Sequence, residues 1–394
     1  MALNTPRRRL DPERIYLCVR AALRFIFWTV NNFYCIPVHF CWVFVLQPLK
    51  LVSKSTYWLL EGVMFRWLLS MVALWSYSAG YHIIELGDDV WDLVCERTLV
   101  LFNHQSTSDV PLIMAAFNSR QNLSDNIMWI MDHVFRYTNF GIVSWAHGDF
   151  FIHAGKEHRE MSLKLLGQHL HDFYLPRDRK WLVLFPEGGF LKNRKPSSQR
   201  YAVKNNLPQL ENVALPRVGA LKVILDNAAT EKHNSEGDGI RYVVDATIAY
   251  PGGRPLDLLN IFTGLRPSCE TIFHYRRYNI EEIPREEEAL TKWLYSRYEE
   301  KEAILQEYYD TGSFPNVPTP HSPGAASPNN VRSLTGARVV HDPLEFLPHL
   351  NGKRFIHQTL EELQDYVTGS TTQVIASTAT QLDSSPVETG NIPT

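Results

Sequence analysis

The 394-residue sequence contains no C-x-x-C pair, no G-x-S-x-G segment and no internal repeat. Its five cysteines, Cys18, Cys35, Cys41, Cys95 and Cys269, are scattered along the chain. That spacing offers neither a zinc site nor a disulfide framework and fits a reducing compartment. Without a nucleophile elbow the chain has no serine positioned as in the α/β-hydrolases. An excess of one charge is also missing: 39 Lys+Arg stand against 42 Asp+Glu, for a formal net charge of -3. A global basic surface of the kind that binds nucleic acid is thereby excluded, and any basic patch must be local.

Hydrophobic runs, in contrast, are present. From Phe25 to Leu46 the chain carries no formal charge over 22 residues, and a helix needs roughly 20 apolar residues to span a bilayer. The run exceeds a signal-peptide core, and no small-residue cleavage site follows it, so an uncleaved anchor is expected. A second uncharged stretch, Trp67–Ile84, is long enough to span but contains Ser70, Ser76, Ser78, Gly80 and His82; a re-entrant or interfacial helix is the alternative. Arg7, Arg8, Arg9, Arg14, Arg20 and Arg24 precede the first stretch, whereas only Lys50 and Lys54 follow it closely. The positive-inside bias then places the N-terminus in the cytosol, and two crossings return the chain there before residue 85.

Four regions are expected: a basic cytosolic N-terminus (1–20), a membrane anchor of one or two helices (21–84), a catalytic domain (85–314) and a largely disordered tail (315–394). Within 90–310, short β-branched or aromatic runs alternate with amphipathic stretches, the pattern of an α/β domain. Strands are expected at Thr98–Phe102, Asp149–Ile152, Trp181–Phe185, Val213–Leu215, Tyr242–Tyr250 and Thr271–Tyr275. Helices are expected at Val110–Asn118, Lys156–Phe173, Val218–Asn227 and Arg285–Tyr308, with a polar loop over Thr230–Gly239. Beyond Phe314 the chain turns rich in Pro, Ser and Asn, and residues 368–394 hold too few apolar groups to offset ordering entropy.

The chemistry-bearing residues follow two of these strands. In Thr98-Leu-Val-Leu-Phe-Asn-His104-Gln-Ser-Thr-Ser-Asp109-Val-Pro111 a buried-looking strand meets a polar turn and a helix start. Ser106, Ser108 and Asp109 are capable N-caps, and proline is welcome in a first helical turn. With His104 in the loop and Asp109 at the helix mouth, the carboxylate can fold back onto one ring nitrogen and leave the other as a base. The H-x4-D spacing alone carries little, because His233 and Asp238 repeat it inside the polar loop. The second motif, Trp181-Leu-Val-Leu-Phe-Pro-Glu187-Gly188-Gly189, is again a strand ending in a sharp acidic turn. Gly188 and Gly189 permit close backbone approach, and Glu187 can accept from a hydroxyl or hold a cation. Two weaker segments, His147–His153 and Val213–Gly219, complete the set. Arg217, Lys222, Lys192, Arg194 and Lys195 are candidate phosphate contacts.

Taken in order, these four segments resemble those of the glycerolipid acyltransferase family: N-H-x4-D, a G-x-x-F-type block, F-P-E-G and a fourth block ending in proline. The likeness is greatest to members that take lysophosphatidylglycerol, through Val30-Asn-Asn32, Met131–Ser144, His147–Ile152, Phe185–Phe190 and Thr247–Pro251. The resemblance implies an α/β fold with a mixed central sheet flanked by helices, plus N-terminal membrane helices. It also implies acyl-CoA as co-substrate, a lysophospholipid acceptor, no permanently bound cofactor, and an endoplasmic reticulum membrane location with the catalytic domain facing the cytosol. His104 would be the general base, oriented by Asp109, with Glu187, Gly188 and Gly189 binding substrate. Two positions depart from the family pattern. His153 and Ala154 stand where many members end the second block in arginine, and Gly189 stands where Thr or Ser is common; the acceptor's phosphate then falls to Arg217 or Lys156. A metal-dependent hydrolase using His104 and Asp109 as ligands, and a non-catalytic lipid-binding protein that keeps the fold, are the rival readings. Asn122-Leu-Ser124 is the sole glycosylation sequon. The expected orientation leaves Asn122 unmodified when the protein inserts into microsomes, and a glycosidase-sensitive mass shift would reverse that orientation.

Overall fold

The computed structural model describes residues 12–118, 123–153, 155, 157–230, 239–315 and 338–340. Lys156, Asn122, the His233/Asp238 pair and most of the Thr230–Gly239 loop lie outside the described residues, as do 1–11 of the basic N-terminus and nearly all of the tail.

The chain begins with a long helix α1 (Pro12–Val45), a single turn α2 (Leu49–Val52) and helix α3 (Lys54–Ser78). An α/β arrangement follows: β1 (Tyr81–Gly87), β2 (Thr98–Phe102), α4 (Asp109–Asn118), β3 (Ile127–Asp132), α5 (Asn139–His147), β4 (Phe150–Ile152), α6 (Arg159–His169), β5 (Trp181–Leu184), α7 (Leu191–Lys204) and α8 (Val218–Ala228). It closes with β6 (Tyr242–Ala249), α9 (Leu258–Thr263), β7 (Cys269–Asn279), α10 (Glu287–Thr311) and a short β8 (Arg338–Val340). The eight strands form one sheet in the order β4-β3-β5-β2-β6-β7-β1-β8. The first five run parallel, β7 turns antiparallel to β6, and β1 runs parallel to β7. The sheet is therefore mixed, as expected.

Its central strands are buried on both faces, so alternate side chains enter two different cores. Leu99, Leu101, Met128, Ile130, Leu182 and Leu184 share one core with Leu166, Leu221, Leu225, Leu294 and Tyr298 of α6, α8 and α10. From the other face, Phe102 and Trp181 meet Phe117 of α4, with ring centroids 6.1 and 5.0 Å away. Because β2, β5 and β6 pair in parallel, the loops after Phe102, Leu184 and Ala249 all leave the sheet at one edge. In open α/β sheets ligands gather at that edge.

The N-terminal helices divide the anchor into two unlike halves. By length and composition the segments 12–52 and 54–78 are both able to cross a membrane, but the apolar window of the first is 17% buried and that of the second 67%. Helix α1 presents Leu23, Ile26, Val30, Phe33, Phe44 and other large apolar side chains outward. Along its inner seam Arg24 donates to Trp75 O (3.0 Å), Trp75 Nε1 donates to Asn31 Oδ1 (2.9 Å), and Gln47 Nε2 donates to Tyr57 OH (3.1 Å). Helix α3 is thus sandwiched between α1 and the domain. Its polar groups find protein partners: Arg66 pairs with Asp125 (3.4 Å), and Asn118 Nδ2 donates to Ser70 Oγ (3.0 Å). Deeper still, Glu61 meets His147 Nδ1 at 2.9 Å, with Arg179 4.0 Å away.

Over Trp67–Ile84, expected either to span or to lie re-entrant or interfacial, α3 is long and apolar enough to cross a membrane, although most of its apolar window is covered by protein. The helix ends at Ser78, and Ile84 belongs to β1. Strand β1 begins at Tyr81, ahead of the expected domain start at 85, and joins the sheet. Glu61→Ala would leave Arg179 and His147 buried without their carboxylate, and losing one partner of such a pair costs about 3–5 kcal/mol. A large drop in the thermal unfolding midpoint in detergent is expected; an unchanged midpoint would show that the cluster contributes nothing.

Candidate active site

Strand β2 delivers Asn103 to the sheet edge, where the side chain continues the ladder in place of the backbone. Asn103 Nδ2 donates to Ile248 O (3.0 Å), and Ile248 N donates to Asn103 Oδ1 (2.7 Å). The chain then turns, and α4 begins at Asp109. His104 Nδ1 lies 2.9 Å from Asp109 Oδ2. A carboxylate only accepts, so Nδ1 carries the hydrogen and Nε2 keeps its lone pair. Among the described residues Nε2 has no hydrogen-bond partner. The ring is stacked on Phe185 at 4.1 Å and flanked by Phe190 at 4.4 Å, which fixes its plane.

Asp109 is fully buried, and its charge is met on all sides. Oδ2 also accepts from Gln105 N (2.6 Å) and Ser106 N (3.0 Å), and Oδ1 accepts from Tyr250 OH (2.5 Å). Burial, followed by the Asp109 charge, pushes the Tyr250 hydroxyl well above its ordinary range, so it stays a donor. Ser106 and Ser108 both donate to Leu256 O, at 2.5 and 2.6 Å, tying the turn to the segment after β6. Tyr250 belongs to the Thr247–Pro251 segment, but its contact with Asp109 spans 141 residues of sequence and left no local signal.

Glu187 does something other than expected. It is fully buried, and its two oxygens are taken by backbone amides: His104 N donates to Oε1 (3.0 Å) and Ala214 N to Oε2 (3.2 Å). It clasps the His104 turn to the fourth segment. The fourth segment is not the expected strand. Residues 213–215 are buried but lie in no strand, and their amides go to side chains: Val213 N to Glu302 (3.2 Å), Ala214 N to Glu187 and Leu215 N to Ser198 Oγ (2.8 Å).

Gly188 and Gly189 adopt φ values of +69° and +147°, which side-chain-bearing residues rarely tolerate. Their missing side chains admit arginines: a Cβ on Gly188 would lie 3.4 Å from Arg217 Nη1, one on Gly189 3.2 Å from Arg194 Cδ, and one on Gly219 3.2 Å from Arg159 Nη2. Arg217, Arg194 and Arg159 form no ion pair among the described residues. Burial holds the Arg217 guanidinium below its usual value, and Arg194 and Arg159 add to that depression. Three arginines without an ion-pair partner beside a bare backbone turn have the chemistry of an anion site, with Arg194 Nε also donating to Glu187 O (3.1 Å). Arg159 was not singled out by its sequence position. Lys222 and Lys195 are instead paired with Asp226 (2.5 Å) and Glu211 (2.6 Å). In the second block His147 is buried against Glu61, remote from the turn, whereas the His153 ring reaches the site edge stacked on His133 at 3.7 Å.

Burial pushes the Glu187 carboxyl up to about 8, against the pull of the two amides. A carboxyl raised by folding contributes stability fully present below its unfolded value of about 4.3 and lost as pH rises through 8. The unfolding midpoint is therefore expected to fall between pH 5 and 8 more steeply in the wild type than in Glu187→Gln. Parallel midpoint curves would show that the carboxyl does not titrate there.

The chain matches two family models: Acyltransferase over residues 93–223 and Acyltransferase C-terminus over residues 260–335. It is 45% identical over 312 residues to human acyl-CoA:lysophosphatidylglycerol acyltransferase 1, covering 76% of this chain and 84% of that one. A putative 1-acyl-sn-glycerol-3-phosphate acyltransferase from Caenorhabditis elegans is 31% identical over 290 residues, covering 70% of this chain and 73% of that one. Among solved structures, the 1-acyl-sn-glycerophosphate acyltransferase from Thermotoga maritima superposes with a TM-score of 0.42 at 14% identity, over 75% of this chain and 96% of that one. The chain is an acyltransferase and belongs to the glycerolipid acyltransferase family.

Proposed function

We propose that the protein transfers a fatty acyl group from acyl-CoA to a free hydroxyl of a lysophospholipid, with a lysophosphatidylglycerol-type acceptor favoured and His104 as general base. The observation that carries the reading is the His104 ring, oriented by Asp109 through Nδ1 and open at Nε2. The name of the human relative supplies the donor and acceptor classes. Nε2 takes the hydroxyl proton as the oxygen attacks the thioester carbonyl, and Asp109 stabilises the imidazolium. The tetrahedral adduct collapses by breaking the C–S bond, and the departing thiolate of coenzyme A recovers the proton. A thiol near pKa 8.5 leaves readily, so no protein nucleophile is required.

The acceptor's phosphate is read as bound by Arg217, Arg194 and Arg159, in place of the arginine missing from the second block. Glu187 acts as a positioning residue, and Gly188 and Gly189 supply the open turn. Donors occupy both Asp109 oxygens, an arrangement that suits an orienting carboxylate better than a metal ligand. The apolar outer surface of α1 is assigned to the bilayer, in the endoplasmic reticulum membrane, with the catalytic domain on the cytosolic side where acyl-CoA is found.

Purified protein assayed with labelled acyl-CoA and a panel of lysophospholipids tests the reading. Transfer should persist in chelator and fall by about 10²–10⁴-fold in His104→Ala, the usual contribution of a general base. Full activity of that variant, or chelator-sensitive release of free fatty acid, would reject it.

A further inference from the structure

Between Asp132 at the end of β3 and Asp149 ahead of β4 the chain carries no carboxylate, and several large apolar side chains point outward. In the single turn His133–Tyr137, Val134 is 73% exposed, Phe135 38% and Tyr137 78%. On the following helix α5, Ile142 and Trp145 are 47% and 58% exposed, three residues apart and so on one face. A contiguous apolar surface of this kind on a folded domain marks a contact site.

The surface is preformed. Asp132 Oδ1 accepts from Val134 N (2.9 Å), and Thr138 Oγ1 caps α5 by accepting from Gly141 N (3.0 Å). At Gly141 even a Cβ would lie 2.1 Å from Phe135 O, so the turn folds directly onto the first turn of the helix. Its two flanks say what covers it. On one side Asn139 Nδ2 donates to Asn32 Oδ1 on the buried side of α1 (3.1 Å), which seats α5 beside the helix whose outer surface is apolar. On the other, Asp132 lies close enough to Arg217 to act on its charge, and His133 is stacked on His153, so the patch borders the anion site. Exposed Arg136 adds a cation among a tyrosine, a tryptophan and aliphatic side chains, a composition suited to a lipid headgroup boundary.

We propose that residues 134–145 form a second membrane contact, separate from α1, through which the lysolipid acceptor passes from the bilayer to the arginines. Its headgroup slides past Arg136 and His133 while its chain stays against Val134, Tyr137, Ile142 and Trp145. This inference rests on the acyl-CoA:lysophospholipid reading above. The test uses the full chain reconstituted in phosphatidylcholine–phosphatidylglycerol vesicles. Long-chain lysophosphatidylglycerol held in the bilayer is compared with a short-chain homologue supplied as monomers in water. The triple variant Val134→Gln, Tyr137→Gln, Ile142→Gln keeps the local charge and alters only exposed positions.

Transfer to the bilayer-held acceptor should fall at least about tenfold, while transfer to the monomeric acceptor stays within about twofold. Equal loss on both acceptors, or no loss on either, overturns the portal. Failure of the wild type on both acceptors instead overturns the reaction itself. A second measurement does not depend on activity: a photoreactive Tyr137→p-benzoylphenylalanine chain should crosslink to vesicle lipid, whereas Lys292→p-benzoylphenylalanine, on the exposed face of α10, should not. Crosslinks at 137 to a second protein chain in place of lipid would assign the surface to self-association and reject the proposal.

Discussion

One buried carboxylate holds the catalytic edge together. Glu187 spends each oxygen on the amide of a different segment, His104 on one side and Ala214 on the other. A carboxyl taken wholly from water is costly unless its hydrogen bonds are made, so the two segments are locked as a pair. Everything that gives the histidine its direction follows. The turn after β2 is fixed at its start by Asn103, in its middle by Glu187 and at its end by the helix mouth, where Asp109 receives donors from the turn and from Tyr250. A ring held this firmly keeps its direction without rearrangement.

The parts of this site that were legible in sequence are those within a few residues of one another. His104 and Asp109 could be paired because a strand, a polar turn and a proline-bearing helix start lie in fourteen consecutive residues, and the strand ends fell within a residue for β2 and β5. Tyr250 and Arg159 could not be found in this way, because only the packing of distant elements brings them to the edge. Strand β3 was missed because a short buried run gives no alternation to distinguish it from a helix segment. Residues 213–215 misled in the opposite sense: they are buried like a central strand, but carboxylates and a serine satisfy their amides instead of a neighbouring strand. The tail expectation touches the structure only at β8, three residues that pair with β1.

The N-terminal helices show where hydropathy stops being informative. It counts apolar residues without asking which surface covers them, and α1 and α3 pass the same test with very different surroundings. In α3 Glu61, Arg66 and Ser70, which would be expensive in lipid, are matched by His147, Asp125 and Asn118, each from the domain. Half of the expected anchor is therefore a layer of the catalytic domain. The hairpin and the sheet form one body from Pro12 onward.

That union also sets a level. Helix α3 ends at Ser78, where Arg24 of α1 bonds to Trp75 O and Ser78 Oγ, and β1 starts three residues later at Tyr81. Tyr81 is in register with Cys269 at the start of β7, and Ile272 of β7 with Ala249 at the end of β6, beside the histidine turn. Arg24 also donates to Ile261 O of α9 (3.0 Å), so the arginine-bearing start of α1 stands beside that edge.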